Sequence, residues 1–291
     1  MSGGRRAAVR HIPFLRRHAI DQDMMVRALV AALAAGLITA RGRVTGSLGP
    51  RGQAAAFAIG VLSAMASWAF AITLVAFFVA ADALTRWRAD DKRRLTAAVV
   101  AQATQRDATQ VLANGSVFVL VALYASRHAN PRWTLAALGA LAAASADTWA
   151  TEIGTLWGGV PRSVLTGRPL PAGMSGGVSA VGTLAAVGGA LLVATVGAWV
   201  AGLRDWRAVA VIAGAGVVGA MVDSLAGATV QAKRWCDRCD NWTERRVHSC
   251  GYRTHHRAGV YWLTNDLVNF ICTGAGALAA VIIGRFVFPP R

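Results

Sequence analysis

Residues 133–152, with the sequence WTLAALGALAAASADTWATE, decide the fold of this chain. Positions 133–150 are almost all apolar, and this length is close to the roughly 20 residues that cross a bilayer as a helix. The carboxylates of Asp147 and Glu152 lie at the end of this stretch. Because a charge near the membrane core is costly, a carboxylate placed there is a functional candidate. The stretch therefore predicts a membrane helix that ends in a polar site.

Apolar stretches of similar length fill the rest of the chain. Apolar residues make up 55% of the sequence and charged residues 15%, and the mean hydropathy is +0.45. This composition argues against a disordered chain and an ordinary soluble domain. We predict an all-α, polytopic membrane bundle in one domain, 24–291, after a basic tail, 1–23, with no secretory signal peptide. The predicted spans are 24–40, 54–84, 109–126, 133–150, 176–202, 207–230 and 260–284.

The net charge of +16 sets the predicted orientation. Such a charge is typical of nucleic-acid binding, but the apolar composition does not fit that class, so no nucleic-acid partner is expected. With seven spans, one side of the membrane holds about 20 Lys and Arg and the other about nine. Cytoplasmic loops carry such an excess, which predicts a bacterial plasma-membrane protein with a cytosolic N-terminus. The segments on the basic side are 1–23, 85–108, 151–175 and 231–259.

The segment 54–84 leaves two alternatives open. It is about 31 residues long, which is more than one crossing of a bilayer requires. Gly60, Ser63, Ser67 and Trp68 lie inside it. One tilted helix or a hairpin of two short helices would both fit. The hairpin gives eight spans and moves the loop that precedes it to the cytosol, whereas the charge count favours seven spans.

Polar side chains gather in five clusters at the predicted cytosolic ends of the spans. In the first cluster, Gln110 and Asn114 share a helix face, and hydrogen bonding between helices explains them as well as function does. In the second, Asp147 and Glu152 lie about 140° apart around a helix. They reach one ion only if the helix loosens, and otherwise each needs its own partner. Solvation of two interfacial acids is the alternative interpretation.

The third cluster is a glycine-rich loop that contains Gly176, Gly177 and Ser179 and leads into a span. Free N–H groups at a helix start attract phosphate, and Ser175 is the predicted N-cap. The loop has no Gly-Lys-Ser/Thr, so it is not a Walker A motif. Close packing of helices through small residues explains the glycines equally well.

The last two clusters add carboxylates and amides to the same layer. Asp223, followed by Ser224, lies inside its span and needs a partner such as an arginine or a metal ion. Asn265, Asp266 and Asn269 begin the last span, where Asp266 would otherwise serve as an N-cap. Together the carboxylates predict a cytosol-facing Mg²⁺ site that bridges to substrate phosphates. Basic residues in this layer that could hold phosphate charge are Arg162, Arg168, Lys233 and Arg234.

An insert at 232–258 carries Cys236, Cys239, His248 and Cys250 in the pattern Cys-x2-Cys-x8-His-x-Cys. Thiolates and imidazole are the usual tetrahedral ligands of zinc. A cytosolic position argues against disulfides. We predict a closed, structural Zn²⁺ site that orders the insert. Free thiols, or a basic loop on anionic headgroups, are the alternatives.

The motifs of the five clusters are Gln110-Val-Leu-Ala-Asn-Gly115, Ser145-Ala-Asp-Thr-x3-Glu152-Ile-Gly154, Gly176-Gly-Val-Ser179-x2-Gly182-Thr183, Asp223-Ser-x2-Gly-Ala and Trp262-Leu-x-Asn-Asp-x-Val-Asn269. In this order they resemble a family of integral membrane proteins, long described as of unknown function, that includes chloroplast phytyl-phosphate kinase and vertebrate transmembrane protein 19. The resemblance covers about residues 25–285, and the insert is similar to one in many prokaryotic members.

The resemblance implies transfer of a phosphoryl group from a nucleoside triphosphate, typically CTP, to a polyprenyl monophosphate held in membrane lipid. A non-enzymatic carrier of lipid phosphate, or a scaffold, is the alternative. The residues assigned to catalysis are Asp147, Glu152, Asp223 and Asp266, the first three as ligands of Mg²⁺. The residues assigned to substrate binding are Gln110, Asn114, Ser145, Thr148, Gly176, Gly177, Ser179, Ser224, Asn265 and Asn269.

Overall fold

The computed structural model describes residues 13–100, 105–128 and 130–288, and side chains from Met24 onward. Long helices dominate these residues, which confirms the predicted all-α membrane bundle. The helices are α1 (Pro13–Val44), α2 (Pro50–Ala66), α3 (Trp68–Arg86), α4 (Ala89–Thr96), α5 (Ala108–Ala125), α6 (Pro131–Trp157), α7 (Ala180–Val200), α8 (Trp206–Thr229) and α9 (Asn265–Val287). The short strands are β1 (Arg162–Ser163), β2 (Gly177–Val178), β3 (Lys233–Cys236), β4 (Asn241–Thr243) and β5 (His255–Ala258).

Helix α6 is the core of the bundle, and its residues from Leu135 to Ala146 are all buried. Helices α5, α7, α8 and α9 pack around it. Small residues permit this close approach, since a Cβ at Gly139 would lie 2.8 Å from the carbonyl oxygen of Gly276 on α9. Lipid tails are as apolar as leucine, so close packing of small residues is what holds membrane helices together. The stretch 133–150 is therefore a helix enclosed by protein.

The segment 54–84 forms two helices that turn back at Ser67. Ser67 has an extended backbone (φ −166°, ψ 145°), and its side chain accepts a hydrogen bond from the N–H of Ala69. It therefore ends α2 and caps α3. The other ends of the two helices meet at Arg106, whose backbone lies against Gly52 on α2 and whose guanidinium donates to Thr85 on α3 (2.9 Å). The structure thus has the hairpin, the second of the two alternatives.

The hairpin also decides at which end of the bundle α1 begins. Arg27 donates to the carbonyl oxygen of Ala64, at the end of α2 (2.9 Å), whereas Gly42, near the other end of α1, lies against Leu48 just before α2 and against Phe78 midway along α3. Helix α1 therefore starts at the end of the bundle opposite to the starts of α5 and α9. The tail 1–23 lies outside the residues whose side chains are described. The predicted position of this basic tail, whose residues 1–12 lie outside the described residues, stays a prediction, and the single span on which it rested is replaced by the hairpin.

Six helices in the described part of the chain are long and apolar enough to cross a membrane. The two other long helices differ from them, because α2 has only 17 residues, whereas α6 is long enough at 27 residues but less apolar. The six are Met24–Val44, Trp68–Arg86, Ala108–Ala125, Ala180–Val200, Trp206–Thr229 and Asn265–Val287.

The insert folds as an antiparallel sheet with strand order β4-β3-β5 and docks on the loop after α4. The N–H of Glu244 donates to the carbonyl oxygen of Val99 (3.0 Å), and so does the hydroxyl of Thr243 (3.1 Å). The guanidinium of Arg245 donates to the carbonyl oxygen of Ala97 (2.8 Å). These bonds hold the insert over the end of the bundle where α6 and α8 finish.

Candidate functional site

All five polar clusters line a single cavity of about 780 Å³. The cavity opens at the end of the bundle where α5, α7 and α9 begin and α6 and α8 end. Because these helices run in alternating directions, sequence clusters far apart in the chain meet at this one end. The predicted site residues that line it are Gln110, Asn114, Asp147, Thr148, Glu152, Gly176, Gly177, Ser179, Asp223, Ser224, Asn265, Asp266 and Asn269.

Ser145 lies outside the cavity, although it was assigned to substrate binding. Its side chain is fully buried, and its hydroxyl donates to the carbonyl oxygen of Gly189 on α7 (2.8 Å). It faces a neighbouring helix because α6 is enclosed on all sides at this level. The assignment was therefore wrong, and Ser145 joins α6 to α7.

Asp147 on α6 and Asp223 on α8 both line the cavity, and their carboxylates lie close enough to interact electrostatically. The Oδ1 atom of Asp223 is buried and has no hydrogen-bond partner among the described residues. Two carboxylates this close repel each other when both are ionised, unless a cation or a proton lies between them. Carboxylate oxygens are also the ligands that Mg²⁺ prefers. The pair therefore fits a divalent cation.

Glu152 does not join this pair. Helix α6 continues unbroken to Trp157, so Glu152 points away from Asp147 and meets its own partners. Its carboxylate forms an ion pair with Lys92 of α4 and accepts a hydrogen bond from Thr85 of α3 (2.7 Å). The three carboxylates are not close enough to share one ion in the part of the chain that the structure describes. The assignment of Glu152 as a third Mg²⁺ ligand is thus corrected to an ion-pair role.

Replacing Lys92 by methionine is expected to destabilise the protein strongly. The side chains of Lys92 and Glu152 are only 11% and 18% exposed, and Lys92 also donates to two backbone carbonyls at the end of α3. Loss of one partner from a buried pair costs about 3–5 kcal/mol, because the other charge stays buried and uncompensated. The thermal unfolding midpoint of the purified protein would measure this loss.

The matched control is Arg93→Met on the same helix. Arg93 pairs with Asp90, and their side chains are 51% and 79% exposed. An exposed pair of this kind contributes about 0–1 kcal/mol. Equal destabilisation by the two substitutions would contradict the role given to the Lys92–Glu152 pair, and adding Glu152→Gln to Lys92→Met should recover much of the loss.

The glycine-rich loop is explained largely by packing. Gly176 has a φ of +84°, and a Cβ there would lie 2.6 Å from the Cα of Ala228 on α8. The N–H of Gly177 already bonds to a carbonyl of the same loop (3.1 Å). Ser179, and not the predicted Ser175, is the N-cap of α7. The loop therefore lines the cavity, but the close-packing alternative accounts for its glycines.

Glu244 of the insert reaches the same cavity and was not predicted. Its carboxylate accepts a hydrogen bond from the N–H of Ser175 (3.0 Å). Burial raises the pKa of Glu244 above its usual range, while the hydrogen bonds from Ser175 and the charge of Lys233 act in the opposite direction. No sequence signal separated Glu244 from the other charged residues of the insert, because the zinc-like pattern made the insert resemble an independent unit.

Basic side chains bring positive charge to the cavity. Arg234 is fixed by a hydrogen bond to the hydroxyl of Thr254 (2.8 Å), and burial lowers the pKa of Arg106. The basic residues that line the cavity are Lys92, Arg106, Arg234 and Arg246. The other predicted basic residues, which do not line it, are Arg162, Arg168 and Lys233.

Asp266 lies in the first turn of α9 and links it to α5. Its carboxylate accepts a hydrogen bond from the hydroxyl of Thr109 (3.0 Å). The N-cap of α9 is Thr264, so capping does not account for Asp266. The amide of Asn114 donates to the carbonyl oxygen of Gln110 (2.9 Å), one turn earlier on α5.

The four predicted zinc ligands come together in the insert. Ligand atoms of Cys236, Cys239, His248 and Cys250 all lie within 4.8 Å of one another. Hydrogen bonds from His248 and from the N–H of Tyr252 lower the pKa of Cys250 to about 6, which favours the thiolate. The Nε2 atom of His248 is buried without a partner among the described residues. This donor set fits tetrahedral Zn²⁺.

The sequence is similar to those of other membrane proteins. A family profile described as integral membrane protein DUF92 matches residues 33–277. Protein PGR of Arabidopsis thaliana is 28% identical over 92% of this chain and 100% of its own length. An uncharacterized membrane protein of Synechocystis is 30% identical (80% of this chain, 81% of its own), and the chloroplastic protein VTE6 of Arabidopsis thaliana is 26% identical (84% and 67%). No solved structure matches the chain.

Proposed function

The chain belongs to the DUF92 family of integral membrane proteins, and from this premise we propose that it is a prenyl-phosphate kinase. It would transfer the γ-phosphoryl group of CTP, or of a similar nucleoside triphosphate, to a polyprenyl monophosphate. The observation that carries the proposal is one cavity with a carboxylate pair, Asp147 and Asp223, at its polar end and apolar walls at the other. Such a cavity suits a substrate with an anionic head and a hydrocarbon tail.

The reaction exchanges one phosphorus–oxygen bond for another. An oxygen of the prenyl phosphate attacks the γ-phosphorus, and the bond from that phosphorus to the bridging oxygen of CDP breaks. The products are the prenyl diphosphate and CDP. No general base is required, because a phosphate monoester is already an anionic nucleophile. Such a transfer depends mainly on positioning and on neutralisation of charge.

The cavity residues divide these tasks. Asp147 and Asp223 would hold Mg²⁺, which when bound neutralises charge on the phosphates. Arg234 and Arg246, from the insert, would bind the triphosphate at the mouth of the cavity. The polar residues proposed to orient the phosphates by hydrogen bonds are Gln110, Asn114, Thr148, Ser224, Asn265 and Asn269.

We also propose that Zn²⁺ in the insert has a structural role. Cys236 lies on β3, and Glu244 follows β4 directly, so a metal that holds the ligands together also holds the sheet. The sheet in turn carries Arg234, Glu244 and Arg246 to the cavity. With four protein ligands the ion has no open position for substrate.

The site is proposed to face the cytosol of a bacterial cell, where nucleoside triphosphates are available. About 18 of the Lys and Arg residues fall in the segments at the site end of the bundle. In this arrangement α1 begins on the outer side of the membrane. The segments at the site end are 41–53, 85–108, 151–175 and 231–259.

The proposal is tested with purified protein, Mg²⁺, a panel of nucleoside triphosphates and a panel of prenyl monophosphates that includes phytyl and geranylgeranyl phosphate. We expect one pairing, CTP with a long prenyl phosphate, to give the diphosphate and stoichiometric CDP. Binding of prenyl phosphate without turnover across the whole panel would instead support a carrier of lipid phosphate.

A further inference from the structure

We infer that the tail of the lipid substrate lies in an apolar chamber between α1, α2 and α3, and that Trp68 together with Arg27 closes the chamber and limits the length of the tail. The identity of the head group rests on the proposed function. The chamber and its closed end rest on the residues that line them.

The chamber is the apolar continuation of the cavity that holds Asp147 and Asp223. Below the polar residues its walls are formed by small and branched side chains, with no charged group among the lining residues of α1, α2 and α3. Such a wall favours a hydrocarbon chain over water or a polar group. Representative lining residues are Ala34, Ile38, Ile59, Ala71, Leu74 and Phe78.

The closed end lies where the hairpin turns. Trp68 is the first residue of α3 and lines the cavity. The guanidinium of Arg27 lies 5.7 Å from the centre of the Trp68 ring, and its Nε donates to the carbonyl oxygen of Ala64 (2.9 Å). A cation over an indole face is an attractive contact. Arg27 therefore holds Trp68, which is 41% exposed, at this end of the chamber.

The side of the chamber between α1 and α3 faces the lipid. Within the described residues α1 packs along α2 and meets α3 at two points, where Arg27 lies over the Trp68 ring and where Gly42 lies against Phe78. Since the rest of α1 and α3 are not packed on each other, a lipid tail can enter sideways while its head stays in the polar end. The lipid tail then does not have to pass through the aqueous phase to reach the chamber.

The depth of the chamber gives an expected tail length. From Phe78 to Trp68, α3 advances by ~15 Å, about half of the hydrocarbon core of a bilayer. The tail must also cross from α6 to the hairpin, a distance of about one helix spacing, ~8–10 Å. An isoprene unit adds about four carbon–carbon bonds, or ~5 Å when extended. The chamber therefore suits a tail of about four or five isoprene units.

Photolabelling tests the position of the tail without requiring turnover. The probe is a prenyl monophosphate of four isoprene units with a diazirine at the end of its tail, bound to the full chain in lipid nanodiscs. We expect the label within one helical turn of Trp68, on α2 or α3. Labelling spread over lipid-facing residues such as Leu37 and Leu184 would show that the tail lies in the surrounding bilayer, and would overturn the inference.

Two substitutions test the limit on length. Trp68→Ala should shift the preferred tail by about one isoprene unit towards longer chains, with a roughly tenfold change in the ratio of long to short substrate bound. Ala71→Phe, one turn above, should shift it in the opposite direction. The control is Trp199→Ala, because Arg204 lies over the Trp199 ring in the same manner (5.5 Å) but that pair does not line the cavity.

The outcomes separate this inference from the proposed function. Labelling near Trp68 without formation of diphosphate would support the tail chamber and refute the proposed kinase activity. Turnover by Trp68→Ala and Ala71→Phe with an unchanged preference for tail length would refute the closed end of the chamber and would support the proposed kinase activity.

Discussion

Asp223→Asn is expected to lower turnover of prenyl phosphate by about 10³-fold or more, because it removes one of two carboxylates proposed to hold the charge-neutralising metal ion. The substitution keeps the shape of the side chain and removes like-charge repulsion from Asp147. The variant should therefore fold at least as well as the native protein. Asp147→Asn should behave in the same way.

A measurement other than activity separates metal binding from a general defect. A ligand that binds only the folded state raises its stability in proportion to RT ln(1 + [L]/Kd). Millimolar Mg²⁺ should therefore raise the thermal unfolding midpoint of the native protein and leave that of Asp223→Asn unchanged. Full activity of either asparagine variant would remove that residue from the proposed metal site.

Asp205→Asn is the matched control for this experiment. Asp205 lies on the same helix as Asp223, at its opposite end, where its side chain caps α8 by accepting the N–H of Arg207 (2.9 Å). Asparagine is as good an N-cap as aspartate. The control should keep both turnover and the Mg²⁺-dependent stabilisation.

Cys236→Ser is expected to release zinc, unfold the insert and reduce turnover to near background. Metal analysis of the native protein should give one zinc per chain. Structural zinc contributes on the order of 10 kcal/mol in small zinc domains, which is more than the short strands of the insert can replace. Without the metal, Glu244 and Arg246 would no longer be held at the cavity.

Limited proteolysis provides the readout for the insert alone. Trypsin should cut Cys236→Ser rapidly at the arginines of the insert, such as Arg238 and Arg253, and cut the native protein slowly. Cys272→Ala is the control for proteolysis, because Cys272 is buried on α9, outside the insert, and contacts the backbone of Ala143. Native protein that contains no zinc would refute the proposed structural site.

Local sequence patterns predicted much of this molecule. Hydropathy predicted the long helices except for the break at Ser67, and polar residues at their ends predicted the clusters that line the cavity. The spacing of Cys236, Cys239, His248 and Cys250 predicted a group of ligands that the structure does bring together. These features could be predicted because each depends on residues a few positions apart, on one helix face or in one short loop.

Other features could not be predicted, because they depend on which side chains meet across the bundle. Glu152 has the same local pattern as Asp147, and only the position of α4 gives it Lys92 as a partner. Ser145 resembles a site residue until α7 covers it. Charge counting favoured a single span at 54–84, whereas the turn at Ser67 reverses the chain and with it the direction of α1.

The amino-acid sequence alone established a helical membrane protein with polar residues gathered at the helix ends, since hydropathy and helical periodicity are local properties of the chain. The tertiary structure decided which of those residues form one site. It paired Asp147 with Asp223, assigned Glu152 to Lys92 and brought Glu244 from the insert to the cavity. Burial of a charge is tolerated only beside a partner, and that partner lies on another element whose direction the folded bundle sets.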